Sequence, residues 1–294
     1  MRIYNPQKWF EILFHFHRSD TVRKLSKLIL IIALYSGAVA FLEFNVFSTF
    51  ENKYLKNLYH LHTLLGFALS LLLVFCTNSA YDRWWEGRKL WGALVNNSRN
   101  LAIKLHALLP EDDVENREYF GRMIPLYAKI LQEHLQSAYT AYTLDENEHP
   151  ELKDIDQGKH APNQIAYFIT NRIIQLHRQG LITGEQLIFL NNEVMSFTDI
   201  CGACERIKNT PIPYSYSSFI KKFIFLYVML LPFGYAFTLG YWVMLVVAVV
   251  FYVLASLEVI AEEIEDPFGT DENDLPMEKM ASNIQKHISE ILVQ

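Results

Sequence analysis

Charged residues disappear from three stretches of the chain. Leu28 to Leu42 is uncharged, and Glu43 is the only charge before Phe50. Tyr59 to Tyr81 carries no charge when His60 and His62 are neutral, and Phe223 to Leu257 carries none at all. A helix needs about 20 mostly apolar residues to cross a bilayer, so the first two stretches each read as one crossing. The third is too long for one crossing at about 1.5 Å per residue. Pro232, Gly234 and Gly240 offer a place to turn, and the stretch reads as a tight hairpin of two crossings.

Between the second and third stretches the pattern changes. Residues 82–218 read as helical and water-soluble, with helices near 82–108, 112–142, 163–178 and 184–208. Pro110, followed by Glu111, Asp112 and Asp113, separates the first two, and Pro125 would kink the second. The segment LDENEHPELKDIDQGKHAP (144–162) is a polar loop. Gly180 suits a helix end, and Thr183 with Gln186 three residues on makes a capping box. TPIP (210–213) ends the last of these helices. No strand pattern and no repeat is visible.

Lys and Arg sit unevenly about the apolar stretches. Arg18, Arg23, Lys24 and Lys27 precede the first, Arg83, Arg88 and Lys89 follow the second, and Lys221 and Lys222 precede the third. The connection between the first two has only Lys53 and Lys56. By the positive-inside bias both termini and the polar block are expected in the cytoplasm. The first twenty residues lack the apolar core and small-residue cleavage site of a signal peptide.

Composition adds exclusions. With 51% hydrophobic and 20% charged residues in 294, apolar and polar blocks are segregated rather than mixed. A net charge of −6 without a basic, aromatic-interleaved patch excludes a case for nucleic acid. Three cysteines are too few for a disulfide framework. Cys201 and Cys204 form a C-x-x-C, but no second pair completes a zinc site and no βαβ context supports redox chemistry. They read as reduced structural cysteines on one helix face. His15/His17 and His60/His62 are i, i+2 pairs, which point to different faces of a helix. QEHLQ, around His134, is not the H-E-x-x-H of a metalloprotease, and no phosphate loop, nucleophile elbow or dinucleotide fingerprint occurs. Nothing here indicates an enzyme.

Two features remain. EEIEDPFGTDENDLP (262–276) is acidic and follows the last crossing. Its carboxylates are oxygen ligands of the calcium type, though without EF-hand spacing. At about 100° per residue, Phe67, Leu71 and Phe75 fall within one helical stripe, with Val74 and Asn78 beside them. Such a stripe ordinarily packs against another helix.

Several segments together resemble the bestrophin family of ion channels: YDRWWEGRKLWGALVNNSRNLA (81–102), ACERIKNTPIPYSY (203–216) and AEEIEDPFGTDENDLP (261–276). The resemblance covers nearly the whole chain. It implies an all-α membrane protein with four transmembrane helices and a helical cytoplasmic domain per subunit, assembled as a homopentamer around one axial pore. It places a hydrophobic neck at Phe67, Leu71 and Phe75, with Asn78 at its lower edge, so that the stripe faces water in the pore. Rings of such residues can close a pore by dewetting. Asp271 and Asp274 match side chains of the family's calcium clasp, but Glu272 and Asn273 interrupt its aspartate run. Calcium is therefore at most a structural ligand at Asp271 and Asp274, and no cofactor is expected. A lower constriction, commonly one apolar residue, falls on Glu185 to within about one residue.

The resulting expectation divides the chain into 1–81 (N-terminal segment and first two crossings), 82–218 (cytoplasmic helical domain), 219–260 (third and fourth crossings) and 261–294 (acidic loop and C-terminal segment). Its function would be passive passage of small monovalent ions across the cell (inner) membrane. Five copies of Glu185 would favour cations. The alternatives are an anion (chloride) channel of the same family and a membrane-anchored scaffold that binds a cytoplasmic partner. The partners implied are other copies of the chain, small inorganic ions and lipid.

Overall fold

In the computed structural model the described residues are 20–45, 53–136, 156 and 158–293. His15, His17, Arg18, the signal-peptide reading, the last residues of the helix expected over 112–142, and residues 144–155 and 157 of the polar loop lie outside them. Among the described residues there are eight α-helices and no strand. They are α1 (Asp20–Asn45), α2 (Lys53–Leu108), α3 (Val114–Gln136), α4 (Ala161–Arg178), α5 (Gly184–Asn209), α6 (Tyr214–Leu239), α7 (Val243–Glu265) and α8 (Met277–Leu292).

Local chemistry accounts for most of the boundaries. α2 runs 56 residues without a break and stops two residues before Pro110. Its last carbonyls would be orphaned, but the Arg117 guanidinium donates to the carbonyls of His106 at 3.2 Å, Leu109 at 2.8 Å and Pro110 at 3.1 Å. Asp113 opens α3 by accepting from the Asn116 N–H at 3.2 Å. α4 starts with His160 as N-cap and Pro162 in the first turn. It ends in a Schellman motif: Gly180 is left-handed at φ 77°, the Leu181 N–H donates to Leu176 O at 3.0 Å and the Gly180 N–H to His177 O at 3.0 Å. The Thr183–Gln186 capping box that opens α5 has both of its bonds.

The long apolar stretch does fold as two helices. The break is at Gly240, whose φ of 60° favours glycine, in a single 3-10 turn over Gly240–Trp242. Pro232 and Gly234 stay inside α6. By length and composition three segments could cross a membrane: Thr21–Asn45, His60–Leu108 and the paired helices Tyr214–Glu265.

The chain separates into two compact units. One holds Arg83–Thr210 with the residues from Asp266 on, and the other the residues up to Asp82 with Pro211–Glu265. The first has its own core, including Trp91, Leu101, Phe120, Tyr127, Ile169 and Phe197. The C-terminal segment, set apart by sequence, belongs to this unit from Asp266. The reason is α8, whose Met277, Met280, Ala281, Ile284, Ile288 and Leu292 form one buried stripe, packed on α3.

The second unit buries Leu69 and Leu73 of α2 with Ile224 and Val228 of α6 and Val247 and Phe251 of α7. α2 and α6 approach closely at Gly66, where a Cβ would lie 2.8 Å from the Tyr227 hydroxyl. Glu43 is buried in this unit rather than turned outward, as an ionisable group in an apolar helix should be. His62 is buried against the rings of Tyr227 and Tyr235 while His60 is exposed.

Candidate functional site

The stripe on α2 lies on the face left uncovered in a single chain. Leu69, Leu73, Cys76 and Ala80 turn into the core and are buried. Phe67 is 65% exposed, Leu71 44% and Phe75 62%, and Asn78 is exposed as well. The hydroxyls near the stripe bond to their own helix, Ser70 to Gly66 O at 2.8 Å and Thr77 to Leu73 O at 2.9 Å. No carboxylate lies between Lys53 and Asp82. Further along the same helix Trp85, Arg88, Lys89 and Asn96 are exposed and, with Gly92 and Ala93, line a shallow depression.

Glu185 sits in the first turn of α5, fully exposed and engaged locally. Its carboxylate accepts from its own backbone N–H and from the Thr183 hydroxyl, which hold its pKa below the usual carboxylate value. A negative charge here also complements the helix N-terminus. Its near neighbours Leu181, Ile188 and Phe189 are apolar and exposed, Ile188 at 75%.

All three sequence segments that carry the family resemblance meet in space. Arg83 reaches the C-terminal end of α5, donating to Ile207 O at 2.6 Å and to Thr210 O. Glu86 pairs with Arg206 at 2.6 Å. The Trp84 indole N–H donates to Asn273 O in the acidic loop at 3.0 Å. Gly87 leaves room for the loop: a Cβ there would stand 3.1 Å from the ring of Phe268 and 3.2 Å from Pro267. Phe268 is fully buried in the core of this unit. The RWWEG and DPFG segments are thus the two halves of one bracket.

The loop closes on itself through backbone and carboxylate groups. The Leu275 N–H donates to Pro267 O at 2.9 Å, the Phe268 N–H to Asp266 Oδ1 at 3.2 Å, and the Asp271 N–H to Asp274 Oδ2 at 2.5 Å. Gly269 is required, because a Cβ would come within 2.7 Å of Asp274 Oδ2. Asp274 is 3% exposed and its Oδ1 has no hydrogen-bond partner. Burial pushes its pKa up to about 6, with the Asp271 and Asp266 carboxylates adding to the rise. Calcium takes roughly six to eight oxygens. The loop offers one orphaned carboxylate oxygen, with the Asp271 side chain exposed. Among the described residues it does not gather three acidic or imidazole donors. The side-chain oxygens gathered here are too few for a calcium site.

Comparison with known proteins agrees with the fold. Residues 1–290 match the model of the bacterial/fungal bestrophin protein family. A voltage-dependent anion channel-forming protein of Nostoc sp. is 32% identical over 96% of this chain and 91% of its own length. Its counterpart in Escherichia coli K12 is 30% identical, again over 96% of this chain and 91% of its own. The crystal structure of a bacterial bestrophin homologue from Klebsiella pneumoniae superposes with a TM-score of 0.80 at 27% identity, covering 92% of this chain and all of that one. The cation preference expected from Glu185 finds no support in these relatives, whose names specify anions. The physical reason lies in the local bonds of Glu185, which account for an acid at that position without a pore.

Proposed function

This chain belongs to the bacterial and fungal bestrophin family, and from that premise we propose that it forms a homopentameric channel passing small anions of the chloride class passively across the cell membrane. The observation that carries this reading is the bare stripe of α2: Phe67, Leu71 and Phe75, on a helix long and apolar enough to cross a bilayer, are exposed while the opposite face is fully packed. Five copies around one axis would turn the stripe inward as three stacked rings. Dewetting of those rings would close the pore, and hydration would open it.

Anions are favoured by the relatives and by the lining. The neck stretch holds no carboxylate, and Arg88 and Lys89 are exposed beyond it on the same helix. Rings of basic side chains favour anions as rings of acids favour cations. Glu185 is then a helix-capping acid. Ile188, the exposed apolar neighbour one turn on, is the better candidate for a lower constriction. In this arrangement each subunit crosses four times, through α1, the first half of α2, α6 and α7. Both termini are cytoplasmic, and calcium has no gating role.

Purified protein in planar bilayers tests this. A salt gradient should give a reversal potential on the chloride side. A potential on the sodium side would overturn the anion reading, and absence of any current would overturn the channel.

A further inference from the structure

Three side chains far apart in sequence converge in the water-soluble unit. His134 lies near the end of α3, His160 caps α4, and Glu205 lies on α5. Each offers one ligand atom, and the three atoms lie within 4.8 Å of one another. The Nε2 atoms of His134 and of His160 each stand 2.6 Å from the same oxygen, Glu205 Oε1. The imidazole rings meet edge to face with centroids 4.6 Å apart. Among the described residues no other group of three such donors comes together in this way.

We propose that His134, His160 and Glu205 form a binding site for a divalent transition-metal ion of the zinc class. Two imidazole nitrogens and one carboxylate oxygen are the donor set of borderline metals, not of calcium or magnesium. The bonds to such an ion are about 2.0–2.2 Å, which puts tetrahedral ligands about 3.4 Å apart. Each nitrogen therefore has to draw back from Glu205 by under about 1 Å. All three side chains are between 23% and 32% exposed, so the ion can enter and water can complete its shell. Cys201 and Cys204 lie on the same helix as Glu205 but are buried. Burial, before any neighbouring charge, keeps their thiols protonated and out of the ligand set.

One contact resists the ion. His160 Nδ1 accepts the Asn163 N–H that caps α4, at 3.3 Å. A metal on Nε2 moves the ring proton to Nδ1 and turns that contact repulsive. At 3.3 Å it is a long bond, while the ion would tie the ends of α3 and α4 to α5. The inference does not depend on the channel reading.

The experiment uses the full-length chain in detergent, freed of any tag and of metal by chelation, titrated with Zn2+ and separately with Co2+. One ion per chain should bind with micromolar affinity, and Co2+ should develop visible absorption. His134→Ala and Glu205→Gln should each weaken Zn2+ at least about tenfold. His160→Asn keeps a good N-cap acceptor and removes the imidazole. It should weaken Zn2+ as much, with the metal-free fold retained. Parent and variants binding Zn2+ alike would place the ion elsewhere and overturn the site. No saturable binding to the parent would mean a hydrogen-bond network only, and would overturn it equally.

Discussion

Replacing Asp274 by Asn should abolish one specific part of the pH dependence of stability. The Asp274 carboxyl has a pKa of about 6 in the folded chain against 3.8 for the free side chain. The folded state therefore binds more protons than the unfolded state between roughly pH 4 and pH 6. Stability from this group falls as pH rises through that window. A difference of about two units corresponds to about 3 kcal/mol if fully titrated. Between pH 7.5 and pH 5 only part is recovered, about 1.4 kcal/mol in favour of the acid condition. For a unit of this size that is a rise of roughly 3–6 °C in melting temperature. Asn can still accept the Asp271 N–H. Its own amide cost is independent of pH and drops out of the comparison. The measurement is thermal unfolding of parent and Asp274→Asn in the same detergent at pH 5 and pH 7.5. The increment should appear in the parent and be missing in the variant. Equal increments in the two would mean that Asp274 is ionised in the fold without penalty, and the burial argument would fail.

The remaining expectations concern the channel. Phe75→Ala and Leu71→Ala should raise open probability in single-channel recordings, because a wider ring stays hydrated, and assembly should persist since neither side chain is in the core. Variants as closed as the parent would remove the neck as the gate. Glu185→Gln should leave the reversal potential unchanged and cost a little stability, with a shift in ion preference restoring the carboxylate ring. Chelation of calcium should leave currents as they were, and a steep rise at micromolar calcium would refute the reading of the acidic loop.

The helices and their caps are legible in sequence because they are made by neighbours. Thr183 with Gln186, Gly180 after α4 and Pro110 after α2 act within one turn of the residues they cap. The hairpin was legible but its turn was not. Pro232 is tolerated inside α6, and only the positive φ of Gly240 separates the two glycines. Gly87 sits inside α2 without breaking it. It is small because Phe268 lies against it, a contact across 181 positions that no local pattern encodes. The convergence of His134, His160 and Glu205 was missed for the same reason. Their spacings carry no period, and His134 was weighed only against a metalloprotease pattern on a single helix. Glu185 is a different case. Its role as a ring depended on copies of the chain around an axis, and symmetry leaves no mark on a single helix turn that a cap would not also leave.

The residues that identify the family and those that would choose the ion are different sets, with different physics. Arg83, Trp84, Gly87, Phe268 and Gly269 are specific because each meets a particular partner: a helix end, a loop carbonyl, a ring or a carboxylate. Few substitutes satisfy such contacts, so the pattern is recognisable. Among the described residues Phe67, Leu71 and Phe75 are left largely uncovered, which leaves their identity free. A ring of Ile or Leu would dewet as well, and the charge of the lining can change without disturbing the bracket. Recognition of the bracket therefore constrains the fold and is silent on selectivity. That is why Glu185 could be read as a cation ring within a correctly recognised family. It is also why ion preference has to be argued from exposed side chains, one position at a time, and measured as a reversal potential.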